Sequence, residues 1–305
     1  MSALPHDPQD PDQGPDPHLA DTASDTSTSE SLRRSLERTR FEILPIKGVE
    51  DQLPFLPDGA EVTVTASPTK GLDATFALCE TLARLGLRRV VPHLSARLVR
   101  DRAHLADLLA TMKDLGIHRV FVPAGDAPEA AGPYADAVSL LRDMDMMGHH
   151  LTDIGITGYP ESHAFIPDDD TIRAMTDKAR FATHVVSQIC YDPAVIDRWI
   201  GAVRARGVTL PIYIGIPGAV DRVKLARISV KVGLGDSIRF LRKQSNVVSK
   251  LATGYTPDHL VDRLGPTVAR PGNAVVGWHL FTFNDVEKTE RWRQDLLARI
   301  QGGTT

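Results

Sequence analysis

Short apolar runs alternate with longer amphipathic segments from residue 40 almost to the end of the chain. Eight runs have the length of strands, and several of the segments between them carry apolar residues at helical spacing. This alternation is typical of repeated β/α units with a parallel sheet. Eight units predict a (β/α)8 barrel of the TIM type, although an open doubly wound sheet has the same local pattern. The predicted strands are residues 41–46, 61–66, 89–94, 119–125, 153–159, 184–191, 211–218 and 275–283.

The N-terminal segment differs in composition from the rest of the chain. Residues 1–35 are rich in Pro, Asp, Ser and Thr and contain few apolar side chains, so they predict a disordered tail. Residues 36–305 then form one catalytic barrel domain. Its regular pattern is interrupted at 47–60, which is too short and Pro-rich for a full helix. A second interruption, at 221–271, has room for two or three helices before the last strand.

Charge and cysteine usage limit the classes of partner. The formal net charge is −4, and no block of Lys and Arg suggests binding to nucleic acid or to a membrane surface. We therefore expect a small-molecule partner. Cys79 and Cys190 each lie in an apolar segment, which predicts two buried thiols and fits a reducing, cytoplasmic location. No run approaches the length of a membrane span. The oligomeric state stays open, with a homo-oligomer among the options.

Two carboxylates stand out at the predicted strands. Glu42 lies between Phe41 and Ile43, where a parallel strand is ordinarily apolar on both faces. A buried carboxylate is costly unless it is paired or functional, and burial favours general-acid chemistry. The alternative is a partner for an Arg or Lys inside the barrel. Asp126 follows Gly125 at the end of the fourth strand, where it either faces a ligand or serves as a turn former.

Further polar residues follow the middle strands. His93 ends the third strand, where a core histidine bound to a carbonyl is the common alternative. Tyr159, Glu161 and His163 follow the fifth strand together. Gln188 lies in the sixth strand, where its amide would read a heterocycle through a paired donor and acceptor or make an internal barrel hydrogen bond.

Other chemistries find little support in the sequence. HExxH and CxxC motifs are absent, so we predict no metal site. There is also no GxSxG elbow, no GxxxxGK[ST] loop and no GxGxxG fingerprint.

Taken in order, eight motifs resemble the methylenetetrahydrofolate reductases. The resemblance covers about residues 40 to 300, and each motif falls on the matching strand. The family has a β/α barrel and reduces 5,10-methylenetetrahydrofolate to 5-methyltetrahydrofolate with NADH or NADPH, usually through FAD. The motifs are FEILP (41–45), VTAS (64–67), PHL (92–94), AGD (124–126), GYPESH (158–163), SQICYD (187–192), IYIGIPG (212–218) and FTFN (281–284).

The resemblance implies a role for each matching residue. Glu42 matches the carboxylate that protonates the folate and opens its five-membered ring. Asp126 matches an aspartate beside the flavin and the pterin, and Gln188 matches the amide that holds the pterin. The positions matched to flavin contacts are Thr65, His93, Gly125, Tyr159, His163 and Lys178.

The departures from the family pattern fall mostly on the flavin side. Asp177 stands where the family has an Arg, so an attraction for diphosphate becomes a repulsion. Lys178 is retained. The pattern is similar to a flavin-free branch of the family and implies direct hydride transfer from NAD(P)H, with FAD in doubt. The departures are Ala66 for Tyr, Ala124 for Arg, Thr171 for Asp, Ala174 for Asn, Asp177 for Arg and, near the folate, Asp285 for Arg.

Two other classes of function stay open. A pterin-dependent methyltransferase also uses a barrel with acidic and amide residues, but this sequence shows no Cys/His set that would activate a thiol. A non-catalytic folate-binding protein would explain the divergence at the flavin positions, whereas retention of Glu42 argues for catalysis. The preferred nucleotide and the physiological direction are not determined by the sequence.

Overall fold

A computed structural model describes residues 17–161, 168–220 and 256–302. Eight parallel strands form one sheet in the order β3-β2-β1-β8-β7-β6-β5-β4. Pairing of β1 with β8, together with a parallel bridge just beyond the end of β3 that reaches β4, closes the sheet into a barrel and rules out the open doubly wound alternative. The strands are β1 (Arg40–Ile43), β2 (Glu61–Val64), β3 (Arg89–Pro92), β4 (Arg119–Val122), β5 (Asp153–Gly158), β6 (His184–Ser187), β7 (Ile212–Pro217) and β8 (Val275–Phe281).

All eight strands lie inside the ranges that the apolar runs predict, apart from the first residue of β1, and they end one to four residues earlier. The helices alternate with the strands. Residues 50–55, in the first predicted interruption, form a 3-10 helix. Of the second interruption, residues 221–255 lie outside the described residues. The helices are α1 (Pro17–Glu37), α2 (Asp73–Arg84), α3 (Arg102–Asp114), α4 (Ala137–Met147), α5 (Asp168–Ala179), α6 (Pro193–Ala205), α7 (Asp258–Ala269) and α8 (Val286–Gly302).

The barrel closes between β3 and β4 through a short seam. A single parallel bridge joins His93 to Phe121, one residue beyond the end of β3. Past this bridge the backbone N–H groups of Leu94 and Ala96 donate to the carbonyls of Phe121 and Pro123 at 2.8 and 3.0 Å. The seam therefore lies toward the C-terminal ends of the strands, which form the functional face in barrels of this type.

The two faces of each strand have different environments. Alternate residues such as Phe41, Ile43, Val62 and Val64 belong to the main apolar core, which lies between the sheet and the surrounding helices. The other set points into the barrel. It includes Glu42, and near the middle of the barrel it forms a separate apolar cluster of Val91, Phe121 and Val186 with Tyr213.

Charged residues at the start of the strands form the floor of the barrel. Arg40 pairs with Glu61 and, at 3.3 Å, with Asp153. Arg119 Nε lies 3.4 Å from Asp153 and 3.7 Å from Glu61, and His184 Nδ1 lies 2.8 Å from Asp153. We call these five residues the ionic floor. It lies at the N-terminal end of the barrel, the end that contributes to stability in this fold.

The N-terminal helix changes the predicted boundary of the tail. The sequence predicts a disordered tail through residue 35, but residues 17–37 form α1, which packs against α7 and β8. Leu32 and Leu36, four residues apart, are both buried, and Trp278 Nε1 donates to Ser35 Oγ at 2.8 Å. Composition alone hid this short apolar stripe because polar residues surround it. Residues 1–16 of the predicted tail lie outside the described residues.

Cys79 and Cys190 are both buried and unpaired, as the sequence predicts. Burial raises the pKa of each thiol. In the described part of the chain, no helix is both long enough and apolar enough to cross a membrane.

Candidate active site

Glu42 is the third residue of β1 and faces the interior of the barrel. Its neighbours in register are Thr63 on β2 and Phe281 on β8, and the residue is 8% exposed. The Oε2 atom lies 3.0 Å from Nε2 of His279. The other carboxyl oxygen, Oε1, has no hydrogen-bond partner among the described residues. Glu42 is thus a buried carboxyl group with one oxygen held and one oxygen available.

The end of β8 ties down the backbone that carries Glu42. Thr282 Oγ1 donates to the carbonyl of Glu42 at 2.6 Å. The side chain of Asn284 accepts from the N–H of Leu44 at 2.8 Å and donates to its carbonyl at 3.0 Å. To make this turn, Phe283 and Asn284 adopt φ of 51° and 61°, a region that is uncommon for residues other than glycine. The FTFN motif therefore fixes the strand of the candidate acid.

His93 faces Glu42 from the opposite side, at the seam. Its Nε2 lies 3.5 Å from the same Oε2 atom, and its ring packs on Phe121 with centroids 4.8 Å apart. Burial lowers the pKa of His93 to about 4, despite the opposing charge of Glu42, so the imidazole is neutral near pH 7. The sequence left a core histidine as the alternative, and the structure places this histidine beside the candidate acid.

Asp126 lies on the exposed loop after β4, and an arginine holds that loop in place. Arg97 Nε donates to the carbonyl of Ala127 at 2.6 Å, and its two terminal nitrogens donate to Pro128 and Ala135 at 2.6 and 3.2 Å. Gly125 has φ of +93°, and a Cβ there would lie 3.0 Å from the Ser95 side chain. Glycine is therefore needed for the loop itself, whether or not a ligand approaches.

Tyr159 and Lys178 bring a second polar group to the same end of the barrel. Burial, with a contribution from the negative charge of Asp126, raises the pKa of Tyr159 even though Thr157 opposes the shift. Lys178, on α5, is buried and donates to Thr157 Oγ1 at 3.3 Å. Burial lowers the pKa of Lys178 to about 8, with the charge of Asp136 opposing. Thr157 thus interacts with both Tyr159 and Lys178, and the charge of Asp126 acts on Tyr159.

Gln188 follows β6 and is half-buried. Its side-chain Oε1 accepts from the backbone N–H of Ile189 at 2.9 Å. The backbone N–H of Gln188 donates to the carbonyl of Gly158 at 2.7 Å. The side-chain NH₂ has no hydrogen-bond partner in the described part of the chain, so it is the group that stays available in this conformation. Reading a heterocycle through both ends of the amide, as the sequence suggests, requires the side chain to rotate away from Ile189.

An apolar wall adjoins these polar residues. Ile189, Tyr191, Val220 and Phe283 form a separate buried cluster against Phe281. Phe281 in turn packs on His279, with ring centroids 4.9 Å apart. The carboxyl group, two imidazoles and this wall together provide a proton donor beside a surface on which a planar ring can pack.

The model of the family described as methylenetetrahydrofolate reductase matches residues 49–291, which is most of the chain. The chain belongs to the methylenetetrahydrofolate reductase family.

The chain is also similar to two known proteins. A probable methylenetetrahydrofolate reductase (NADH) of Oryza sativa subsp. japonica is 27% identical over 130 residues, which cover 36% of this chain and 22% of the rice protein. The chain thus matches only about a fifth of that relative. A solved structure from Clostridium thermocellum, which binds two copies of 5-methyl-5,6,7,8-tetrahydrofolic acid, has a TM-score of 0.57 at 9% identity. That match covers 86% of this chain and 95% of the other and shows a shared fold.

Four positions that the resemblance matches to flavin-binding residues carry no cationic side chain in this chain. Thr171 is buried, Ala174 carries no polar group, and Asp177 is exposed and negative. Ala124 replaces an Arg, and its carbonyl accepts from the N–H of Arg97 at 2.9 Å. These side chains offer no positive charge to a diphosphate.

The other predicted positions take up different places. The carbonyl of Thr65 accepts from Thr75 Oγ1 at 2.8 Å, and the neighbouring Ala66 packs against the main core. Asp285 begins the first turn of α8, where its carbonyl accepts from Thr289. His163 lies outside the described residues.

The sequence interpretation missed His279 and Arg97. His279 carries the same signal that marked Glu42, a polar side chain inside a buried parallel strand, and alternation along β8 places it on the inner face. Arg97 carried no such signal, because it lies in a short 3-10 helix and acts only through backbone carbonyls distant in sequence.

Proposed function

We propose that this protein transfers hydride between a reduced pyridine nucleotide and a folate, converting 5,10-methylenetetrahydrofolate to 5-methyltetrahydrofolate or the reverse. In the reducing direction a proton goes to N10, the bond between N10 and the methylene carbon breaks, and its electron pair stays on N10. Hydride from the nicotinamide then adds to the resulting iminium carbon. Family membership and the folate-binding structural relative support this choice.

The observation that carries the proposal is the environment of Glu42. A general acid must present a proton to the substrate while its other atoms are held in place. Glu42 meets both conditions, because Oε2 is held by His279 at 3.0 Å and Oε1 is free of partners among the described residues. Its backbone is also fixed by Thr282. Glu42 is therefore the proton donor in ring opening.

Asp126 and Gln188 complete the folate side of the proposal. The negative charge of Asp126 lies on the rim of the functional face, where it stabilises the positive iminium that forms when the ring opens. The side-chain NH₂ of Gln188 donates to an acceptor on the pterin, and rotation of the side chain adds a second hydrogen bond. Thr65, His93, Gly125 and Tyr159 then line the space that the nicotinamide occupies.

We further propose that hydride passes directly from NAD(P)H to the folate without bound flavin. Support comes from Ala124, Thr171, Ala174 and Asp177, which offer no positive charge to the diphosphate of FAD. Lys178 is the cation that these positions retain, and it is buried against Thr157.

The first experiment measures NAD(P)H oxidation with 5,10-methylenetetrahydrofolate by the purified full chain. Glu42→Gln keeps the shape of the side chain but cannot donate the proton, so we expect turnover to fall about 10²- to 10⁴-fold. Glu80→Gln is the matched control, because Glu80 is on the surface and pairs with Arg84. It should keep wild-type turnover. Turnover in Glu42→Gln equal to that of the wild type would remove the proposed acid.

The same preparation tests the flavin proposal and the other functional classes. We expect a colourless protein whose turnover does not need added FAD. A yellow protein, or turnover that depends on FAD, would contradict direct transfer. Folate binding without any NAD(P)H oxidation would favour a binding protein, and methyl transfer from 5-methyltetrahydrofolate to an added acceptor would favour a methyltransferase.

A further inference from the structure

His279 is a buried residue on β8 that contacts the candidate acid directly. It is 1% exposed, and its Nε2 lies 3.0 Å from Oε2 of Glu42. The ring is held from the side by Phe281, with centroids 4.9 Å apart. Because β1 and β8 are neighbouring strands in register, the two backbones keep this distance without help from a loop.

A second imidazole approaches the same carboxyl oxygen. His93 Nε2 lies 3.5 Å from Oε2, so the two histidines reach Glu42 from β3 and β8. Nε2 of His93 makes no hydrogen bond among the described residues, so His279 is the donor at this oxygen. A donor at one carboxyl oxygen makes it the hydrogen-bond acceptor and leaves the proton on the other oxygen. The acidic proton therefore lies on Oε1, the oxygen with no partner among the described residues.

The second ring nitrogen of His279 argues against a purely structural role. Its Nδ1 is buried and has no hydrogen-bond partner among the described residues. An unpaired polar atom in a protein interior costs stability, so a residue selected for stability alone would be apolar or paired at both nitrogens. Among the described residues, the hydrogen bond to Glu42 is the one side-chain hydrogen bond of His279 and the interaction that requires an imidazole at this position.

We infer that His279 is a positioning residue for Glu42, an inference that rests on the proposed function. Its Nε2–H fixes the carboxyl rotamer and directs Oε1 toward the substrate. When the proton moves from Oε1 to N10 of the folate, Glu42 becomes a carboxylate. The hydrogen bond from His279 is stronger to that carboxylate than to the neutral acid, because charge-assisted hydrogen bonds are the stronger class. His279 thus favours ring opening without touching the folate, and solvent returns the proton to Glu42 after each cycle.

Two substitutions separate positioning from packing. His279→Phe keeps a ring beside Phe281 and removes the hydrogen bond, so kcat should fall about tenfold to a hundredfold while KM for the folate changes less than threefold. His279→Gln retains an N–H near the position of Nε2 and should recover at least a third of the lost kcat on a logarithmic scale. His104→Gln is the control, since His104 is a buried histidine on α3 that bonds to the Arg100 backbone. It should leave kcat unchanged.

A double-substitution cycle gives the decisive comparison. If His279 acts through Glu42, His279→Phe should cause no further loss in the Glu42→Gln background. Losses that multiply in the double variant, or wild-type kcat in His279→Phe, would overturn the inference. Equal kcat in the Phe and Gln variants would also overturn it, because packing alone would then explain the effect.

A measurement that needs no turnover keeps this inference separate from the proposed function. The infrared carboxyl bands of Glu42 are those that disappear in Glu42→Gln. They should shift in His279→Phe, because the Nε2–H bond is lost, and stay in place in His104→Gln. If the wild type shows no NAD(P)H oxidation, the proposed function fails while a shifted band still supports the contact. An unshifted band in His279→Phe would overturn the positioning role. Melting temperatures within a few degrees of the wild type show that each variant is folded.

Discussion

Lys178 illustrates, at the scale of single residues, how this site is built at a cost to stability. The side chain is 6% exposed, and among the described residues its Nζ has one hydrogen-bond partner, Thr157 Oγ1. Burial lowers the pKa of Lys178 to about 8. An ammonium that is buried without a close carboxylate destabilises the fold, which is typical of a residue kept for ligand binding.

We predict that Lys178→Met makes the protein more stable at pH 7, by about 1–3 kcal/mol. In the unfolded chain Lys178 keeps its proton up to about pH 10.4, whereas in the folded chain it keeps the proton only up to about pH 8. Wild-type stability therefore rises between these two values, and the advantage of the variant shrinks over the same window. Urea unfolding at pH 7 and pH 9.5 measures both effects. Lys113→Met, at an exposed position on α3, should stay within about 0.5 kcal/mol of the wild type. A Met variant less stable than the wild type at pH 7 would mean that the bond to Thr157 outweighs burial.

Single residues also show what could be predicted from the sequence. Glu42 was identified because a carboxylate in an apolar strand is costly, and that argument needs no three-dimensional information. The same signal marks His279, but its contact with Glu42 could not be predicted. The two residues are 237 positions apart, and only barrel closure makes them neighbours. For Gln188, the residue was identified, but the hydrogen bond of its Oε1 to Ile189 depends on local backbone geometry.

At the scale of the elements, glycines allow β7 to pass close to its neighbours. A Cβ on Gly215 would lie 2.1 Å from the carbonyl oxygen of Ser187 and 2.9 Å from the ring of Phe281. The backbone N–H of Gly215 also donates to Ser187 Oγ at 2.8 Å, which holds β7 close to the end of β6. The IYIGIPG motif is therefore a requirement of packing near the site as much as of ligand binding.

We predict that Gly215→Ala destabilises the protein by several kcal/mol, because backbone at 2.1 Å cannot move aside without breaking the β6–β7 pairing. Chemical denaturation gives the free energy of unfolding. The matched control is Gly201→Ala in α6, where a Cβ meets nothing within 4 Å. That change should raise stability by up to about 1 kcal/mol, since alanine is the better helix former. Equal stability of the two variants would contradict the described packing of β7.

We predict that Leu36→Ala in α1 lowers the free energy of unfolding by about 2–5 kcal/mol, because Leu36 is fully buried against the barrel. Leu85→Ala serves as the control, as Leu85 is 60% exposed, and should change stability by less than about 0.5 kcal/mol. Denaturation curves of both variants test this. A Leu36→Ala protein as stable as the wild type would show that α1 does not belong to the folded domain.

The elements also differ in how far the sequence determined them. The strands were identified from apolar runs because burial on both faces leaves a strong signal. Their ends were placed too late, because loops such as that after β4 stay apolar beyond the last ladder bond. The helix α1 was missed because its stabilisation comes from Leu32, Leu36 and Ser35 contacting distant elements rather than from its own composition.

At the scale of the whole molecule, the ionic floor links the stability of the barrel to pH. Burial lowers the pKa of His184 to about 4, although its hydrogen bond to Asp153 opposes the shift. Burial also lowers the pKa of His93 to about 4. The five charged or polar residues of the floor each begin a strand, and only closure of the barrel makes them one network.

We predict that the protein loses stability as the pH falls from about 6.5 to 4. In this window His93 and His184 take up a proton in the unfolded chain but stay neutral in the folded one. Each therefore contributes up to about 1.4 kcal/mol per pH unit to the slope of the unfolding free energy. Below pH 4 this contribution is complete. Urea unfolding at several pH values measures the slope. His93→Phe removes one of the two histidines and should reduce the slope by about that amount; an unchanged slope would contradict a neutral, buried His93.

The short seam between β3 and β4 gives the barrel two mechanically different ends. The floor is cross-linked by charged side chains from five strands, whereas closure near the rim rests on one bridge and on hydrogen bonds from Leu94, Ala96 and Arg97 to backbone carbonyls. Because β3 and β4 are the ends of the hydrogen-bonded strand order, we expect opening of the wall to occur beside His93 and the loop of Asp126. A ligand that contacts both His93 and Asp126 would bridge the two sides of this gap, so ligand binding would stabilise the closed wall. In amide hydrogen exchange, a bound folate would then slow Leu94 and Ala96 more than the strands across the barrel.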